Sequence, residues 1–325
     1  MAAGKPDPAE MRCVSGHQPQ AFGISHQASI GSERGTVGGV PVRNATAADV
    51  DDVLALLTVR DRAVLGEVEV RRRYVEHELA QAKECLVAQG DTGLAGYASL
   101  DAEQNVALAA FDSDIAGELL GDIEGRARER QVDHVTCVAV PEDAVLWQAL
   151  ERNGYRRERD IVRMWRSLEG ELDHPSWPNG ITVRSYEDAD GERVHALLDD
   201  AYAGWDPDYV LLDHDDWLAF MTDHDDFDPA LWILCERNGE LVACALHWRV
   251  SDGLGWVKDI VVRESERGRG LGRALLVHGF REYRARGAAR VGLKVDTNNP
   301  TGAPRLYEKA GFVIDRTYRI WTKQL

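Results

Sequence analysis

From Val40 onward, short apolar runs alternate with stretches whose apolar residues recur every three to four positions, which predicts strands and amphipathic helices in turn. VPVRN, starting at Val40, reads as a strand. After a short turn comes a helix carrying Val50, Val53, Leu56 and Leu57 on one face, its Asp-rich first turn suited to the helix dipole. The pattern then returns. Arg43, Asp49 and the Leu56-Leu57 pair recur as Arg184, Asp190 and Leu197-Leu198, and the segment opening at Ala149 matches the one opening at Leu306. Matches at opposite ends indicate a tandem duplication.

The expected organisation follows: a first copy over 40–168, a linker over 169–180 marked by Gly170, Pro175, Pro178 and Gly180, and a second copy over 181–325. Residues 1–39, rich in Gly, Ser, Gln and Pro without an apolar period, are expected to be a disordered leader. In the second copy, Leu231–Arg237 and Glu240–Val250 flank Asn238-Gly239, a strong hairpin signal. A strand over Gly255–Arg263, a helix over Leu271–Arg286, a strand over Val291–Val295, a helix over Thr301–Ala310 capped by Thr301, and a closing strand over Phe312–Thr322 complete it. The fold class is α/β, with a mostly antiparallel mixed sheet and flanking helices in each copy.

Composition narrows the function. With 55 acidic against 38 basic residues and a formal net charge of −17, the overall field repels phosphate backbones, which argues against nucleic acid. No apolar run is long enough to span a membrane and no signal-peptide pattern opens the chain, so a cytoplasmic protein with no membrane partner is expected. Cys13, Cys85, Cys137, Cys235 and Cys244 are widely spaced and read as reduced thiols.

Against this acidic background, RGRGLG over Arg267–Gly272 stands at a strand-to-helix junction. Glycines there free backbone N–H groups and let an anion approach the positive end of the helix. The spacing fits neither the Walker A loop nor the dinucleotide fingerprint. A helix start that needs Gly only for tight packing is the alternative, which the flanking sequence disfavours.

The flanking sequence, VRESERGRGLGRALL from Val262, resembles the acetyl-CoA signature of the GCN5-related N-acetyltransferase (GNAT) family. DTNNPTGAPRLYEKAGF from Asp296 resembles that family's second signature. The resemblance implies that the backbone amides of Arg267, Gly268, Arg269, Gly270, Leu271, Gly272 and Arg273 hold the coenzyme A pyrophosphate. It also implies that Ile260, Val261 and Val262 pair with the pantetheine, that Asn299 (or Asn298) is the family's Asn, and that Tyr307 is the general acid. The family's strand Glu is replaced here by Trp256. That leaves Asp259, if a bulge turns it to the right face, or His247, or a water, as the base.

The Asp-rich, aromatic segment from Trp205 to Pro229 lies where the family builds a wall of the acceptor pocket, which suits a cationic amine; a solvated acidic helix face is the alternative. His214 and His224 are spaced badly for a metal, and none is assigned. In the first copy, Asp112 and Asp114 stand at the turn and Leu150 aligns with Tyr307. That copy therefore reads as degenerate, serving as scaffold, pocket wall or dimer surface. The implied activity is acetyl transfer from acetyl-CoA to the primary amine of a small molecule, by a monomer or homodimer. The tandem arrangement resembles the family's mycothiol synthase branch, and the rival is a non-catalytic acyl-CoA-binding or sensing protein.

Overall fold

The computed structural model describes residues 35–37, 40–203, 213–223, 226–251 and 253–325, and the chain divides into two compact units. Of the described residues, one unit takes Val162 to Arg316 and the other those up to Ile161 together with Thr317–Leu325.

The N-terminal unit is built from β1 (Gly35–Val37), β2 (Val40–Asn44), α1 (Val50–Leu65), α2 (Arg72–Gln81), β3 (Glu84–Gln89), β4 (Leu94–Leu100), β5 (Asn105–Ala110), α3 (Ser113–Glu129), β6 (His134–Ala139) and α4 (Ala144–Arg152). Its sheet is antiparallel from β1 to β5, and β5 and β6 are parallel. Strand alternation sends Val87, Tyr97 and Ala109 toward α1 and α2, and Leu86, Ala98 and Leu108 toward α3 and α4, so both faces are covered.

The C-terminal unit contains β8 (Ile181–Ser185), α5 (Gly191–Tyr202), α6 (His214–Thr222), β9 (Ile233–Arg237), β10 (Glu240–Ser251), β11 (Leu254–Val262), α7 (Leu271–Ala285), β12 (Arg290–Asp296) and α8 (Ala303–Lys309). Strands β8 to β11 are successively antiparallel, and β11 and β12 are parallel. At the β9–β10 hairpin, Asn238 and Gly239 take φ of 55° and 82°, the left-handed pair that a two-residue loop requires. Again the strands serve two layers: Leu234, Cys244 and Leu246 face α5 and α6, whereas Cys235, Ala243 and Ala245 face α7.

Two structural differences from the sequence boundaries matter. Strand β7 (Arg156–Ser167) crosses the division, so its second half, written in the first copy, lies beside β12 in the C-terminal unit. Strand β13 (Val313–Gln324), written in the second copy, pairs through Arg319–Gln324 with β6 in the N-terminal unit. The compact units therefore do not follow a cut at Leu168. The leader expected over 1–39 also needs correction at its end, because Gly35–Val37 pairs antiparallel with Val40–Val42. Residues 1–34 lie outside the described residues.

The internal repeat is visible in its side chains. Arg43 grips Asp49 with two hydrogen bonds of 2.9 and 2.6 Å, and Arg184 grips Asp190 with two of 2.5 and 2.6 Å. Each Asp closes a capping box before its helix. The Arg43 hydrogen bonds hold the Asp49 carboxyl down at about 2, below its unfolded value of 3.8. The resulting stabilisation is complete above the unfolded value and is lost as pH falls through the folded one. Asp49→Asn should thus cost about 1–2 kcal/mol at neutral pH, discounted for the exposure of Arg43, and the deficit should shrink between pH 4 and pH 2. Urea titrations of both proteins across that range check it; a pH-independent difference would assign the loss to packing.

Candidate functional site

The RGRGLG turn sits between β11 and α7 in the C-terminal unit, and two features of its backbone are set by glycine. Gly268 and Gly270 adopt φ of 74° and 89°, and a Cβ at either would meet nothing within 4 Å, so the turn opens onto free space. Among the described residues, the amides of Gly268 through Arg273 have no acceptor in the protein, and the first inward bond is from Ala274 N to Gly270 O at 3.0 Å. These amides crowd the positive end of a fifteen-residue helix. The arginine side chains are engaged elsewhere: Arg267 on Val262 O, Arg269 on Glu266, and Arg273 on Asp173. Glu266, buried and held by Arg237 at 3.0 and 3.1 Å, anchors the start of the turn; its partner lies twenty-nine positions away and gives no local sequence signal.

Below the turn, parallel pairing of β11 with β12 covers Leu254–Trp256 against Arg290–Gly292 and then stops, although both strands run on. Ile260, Val261 and Val262 pair with Ala245, Cys244 and Ala243 of β10 on one side and lie beyond the β12 pairing on the other, an edge on which an extended ligand could add as a strand. Bare amides, an open cradle and a splayed strand edge together fit the diphosphate and pantetheine arm of a coenzyme A ester. Asn299 has a turn role here, since its Oδ1 accepts from Thr301 N at 2.9 Å and from Thr301 Oγ1 at 2.5 Å. Thr301 does not cap α8, which begins at Ala303 after Gly302 at φ 80°.

The strand carrying Asp259 contains the bulge on which its orientation depends. Leu246 pairs with Asp259 and His247 with Val257, leaving Lys258 as the extra residue. Val257 packs among α7 residues, and without the bulge Asp259, two positions on, would face the same way. The bulge turns it to the α5 face, where Tyr202 donates a 2.5 Å hydrogen bond to its Oδ1 and Lys258 Nζ lies 3.6 Å from Oδ2. Tyr202, fifty-seven positions away, had no local sequence signal.

Tyr307, on α8, is buried, with its ring edge-on to Phe312 at 5.9 Å. Burial and then the charge of Asp259 push its phenol well above the ordinary tyrosine range, so it is protonated at neutral pH. Asp259 acts on Tyr307 through its charge, while its own contacts are with Tyr202 and Lys258.

His247 does not join them. It is fully buried against α7, where a Cβ on Gly279 would lie 2.5 Å from its Nε2, and burial holds its pKa down at about 3. A neutral ring sealed between strand and helix cannot reach an acceptor amine, which removes His247 as the base. Trp256 packs edge-on to Trp165 at 5.7 Å beside Gly292, within the paired part of β11.

Of the acidic segment, Trp205–Leu212 and His224–Asp225 lie outside the described residues. Asp213 caps α6 through the amides of Asp215 and Asp216, Asp228 caps the turn before β9, and Trp217 is buried in the core, so these residues do local structural work. Among the described residues no group of three His, Cys, Asp or Glu gathers as metal ligands, and no helix is long and apolar enough to cross a membrane. Cys85, Cys137, Cys235 and Cys244 are unpaired with one another, and burial pushes the Cys85 and Cys235 thiols up to about 12.

The equivalent junction of the N-terminal unit is filled from within. Asp112 caps α3, its carboxylate accepting from Asp114 N at 2.8 Å and Ile115 N at 3.1 Å, so a fixed negative charge occupies the place of an anion. Leu150, aligned with Tyr307, is fully buried in the apolar core.

Comparison with known proteins agrees with this geometry. Residues 192–312 match the family described as Acetyltransferase (GNAT) family. The chain is 30% identical over 282 residues to a mycothiol acetyltransferase of Streptomyces avermitilis, covering 82% of this chain and 88% of that protein. It is 34% identical over 164 residues to a mycothiol acetyltransferase of Saccharopolyspora erythraea, where the match spans 50% of this chain and 53% of that protein. Among solved structures, a GCN5-related N-acetyltransferase from Sphaerobacter thermophilus superposes with a TM-score of 0.72 at 26% identity, over 87% of this chain and 95% of that one. A tandem GNAT protein from the clavulanic acid biosynthesis pathway shares the fold, with a TM-score of 0.66 at 14% identity, over 87% and 98% of the two chains.

Proposed function

The chain belongs to the acetyltransferase (GNAT) family, whose members are N-acetyltransferases using acetyl-CoA, and on that premise we propose that its C-terminal unit acetylates the primary amine of a small molecule by direct attack in a ternary complex. The observation that carries this is the row of amides without acceptors, Gly268 to Arg273, at the mouth of the β11–β12 splay. Bound acetyl-CoA supplies the thioester carbon, to which the amine nitrogen bonds as the C–S bond breaks. The turn amides bind the diphosphate, and the edge of β11 over Ile260–Val262 orients the arm that leads to the thioester. Asp259, held by Tyr202, pairs with the incoming ammonium and takes its proton, so that a neutral amine attacks. Tyr307 gives its phenolic proton to the departing thiolate and is reprotonated by the second proton that the nitrogen loses on becoming an amide, carried through solvent, while Asp259 releases the first to bulk water, so one proton is freed per turnover. A carboxylate in the acceptor cleft suits a cationic amine.

Thiol release from acetyl-CoA, followed with a panel of small amines, tests the proposal. Acceleration by at least one amine supports it; tight coenzyme binding with no amine ever accelerating release would establish the rival, a non-catalytic acyl-CoA sensor. A second reading takes the acceptor to be the cysteinyl amine of a pseudo-disaccharide, and the curated names of the relatives favour it. That compound belongs in the panel. Tyr307→Phe should lower kcat by about 100-fold while leaving the KM for acetyl-CoA within about twofold. Equal losses in both would give Tyr307 a packing role instead.

A further inference from the structure

The strand that flanks β12 in the C-terminal unit is the second half of β7, and one of its side chains reaches the helix that carries Tyr307. Helix α8 ends in a Schellman arrangement: Phe312 N bonds to Tyr307 O at 3.0 Å, Gly311 N bonds to Glu308 O at 2.9 Å, and Gly311 is left-handed at φ 89°. A helix end leaves carbonyls without partners, and here Arg166 Nη1 donates to Ala310 O, three residues after Tyr307. The guanidinium also lies over the Phe280 ring of α7, 4.4 Å from its centroid. Phe280 touches Phe312 at 5.7 Å between centroids, and Phe312 touches Tyr307 at 5.9 Å. Gly311 leaves room for this cation, since a Cβ there would stand 2.6 Å from Nη1.

We propose that Arg166 is a positioning residue for Tyr307, fixing the end of α8 against α7 so that the phenol is held at the reaction centre. A strand written in the copy without a coenzyme turn thereby completes the catalytic machinery of the other. The inference rests on the general-acid reading of Tyr307. Arg166 touches neither substrate nor the reacting atoms in this scheme; it acts through the Ala310 carbonyl and two aromatic rings.

The test is a double-mutant cycle in the full-length chain, using whichever amine the panel selects. Arg166→Met should lower kcat by about 10- to 100-fold, as expected for a misplaced catalytic group, with acetyl-CoA affinity measured by calorimetry unchanged. Arg166→Lys, which keeps the charge but not the flat stack, should recover part of the loss. In a Tyr307→Phe background, Arg166→Met should have almost no further effect, because the group it positions is gone. Multiplicative losses in the double variant, or an unchanged kcat in Arg166→Met, would overturn the inference. Should Arg166→Met fail to fold, Arg166→Lys enters the same cycle with the same criterion. A wild-type chain that acetylates no amine overturns the proposed function and this inference with it, an outcome distinct from an active wild type whose Arg166 variants are equally active.

Discussion

Replacing Gly270 with Asp is expected to weaken coenzyme A binding by about 100-fold or more, because it puts a carboxylate where the turn amides await an anion. The space exists, since a Cβ at Gly270 meets nothing within 4 Å. The cost in backbone strain is limited to the left-handed φ of 89°, about 1–2 kcal/mol for a non-glycine residue. The chain already contains the comparable arrangement: Asp112 in the N-terminal unit accepts from the amides of Asp114 and Ile115. Gly270→Ala carries the strain without the charge and should lose no more than about tenfold. Titration calorimetry with coenzyme A separates the two substitutions. An unchanged affinity in Gly270→Asp would remove the turn from the binding site.

A chain beginning at Ile181 is expected not to fold, although the sequence repeat places the second copy there. The core of the C-terminal unit includes Val162, Met164, Leu168 and Leu172, all buried and all upstream of that point. At about 2 kcal/mol for each such side chain, their removal subtracts about 8 kcal/mol, comparable with the whole stability of an ordinary domain. It would also expose the edge of β12 that β7 covers, leaving unpaired backbone groups. Circular dichroism and thermal denaturation of the 181–325 fragment check this, and a cooperative unfolding transition near that of the full chain would contradict it. A fragment starting before Val162 should be markedly more structured.

Much of the fold and candidate site is written in short-range chemistry. The Asn238-Gly239 hairpin, the glycine turn before α7 and the end of α8 at Gly311 depend on residues within a few positions, because positive φ and helix capping are local demands. One boundary moved through local competition: Asn299 and Thr301 spend their hydrogen bonds on a turn, which delays α8 to Ala303. The repeat was legible because the Arg43–Asp49 and Arg184–Asp190 pairs span only six positions each.

Other features needed partners far apart in the chain. Sequence offers Asp259 as the base only if a bulge reorients it, with His247 and water as alternatives; the bulge at Lys258, whose register is set by the neighbouring β10, turns Asp259 toward Tyr202, while His247 is sealed against Gly279. Likewise, no local pattern says that β7 closes the unit holding β11 and β12, or that β13 closes the one holding β6, since each pairing joins strands far apart in the chain. The sequence by itself determined that there are two copies and that one has a glycine turn at its strand-to-helix junction, because glycine geometry acts within a few residues. The tertiary structure alone decided that Asp259 turns to Tyr202 and that β7 supports the helix carrying Tyr307, because both depend on strand register and on contacts that no single segment contains.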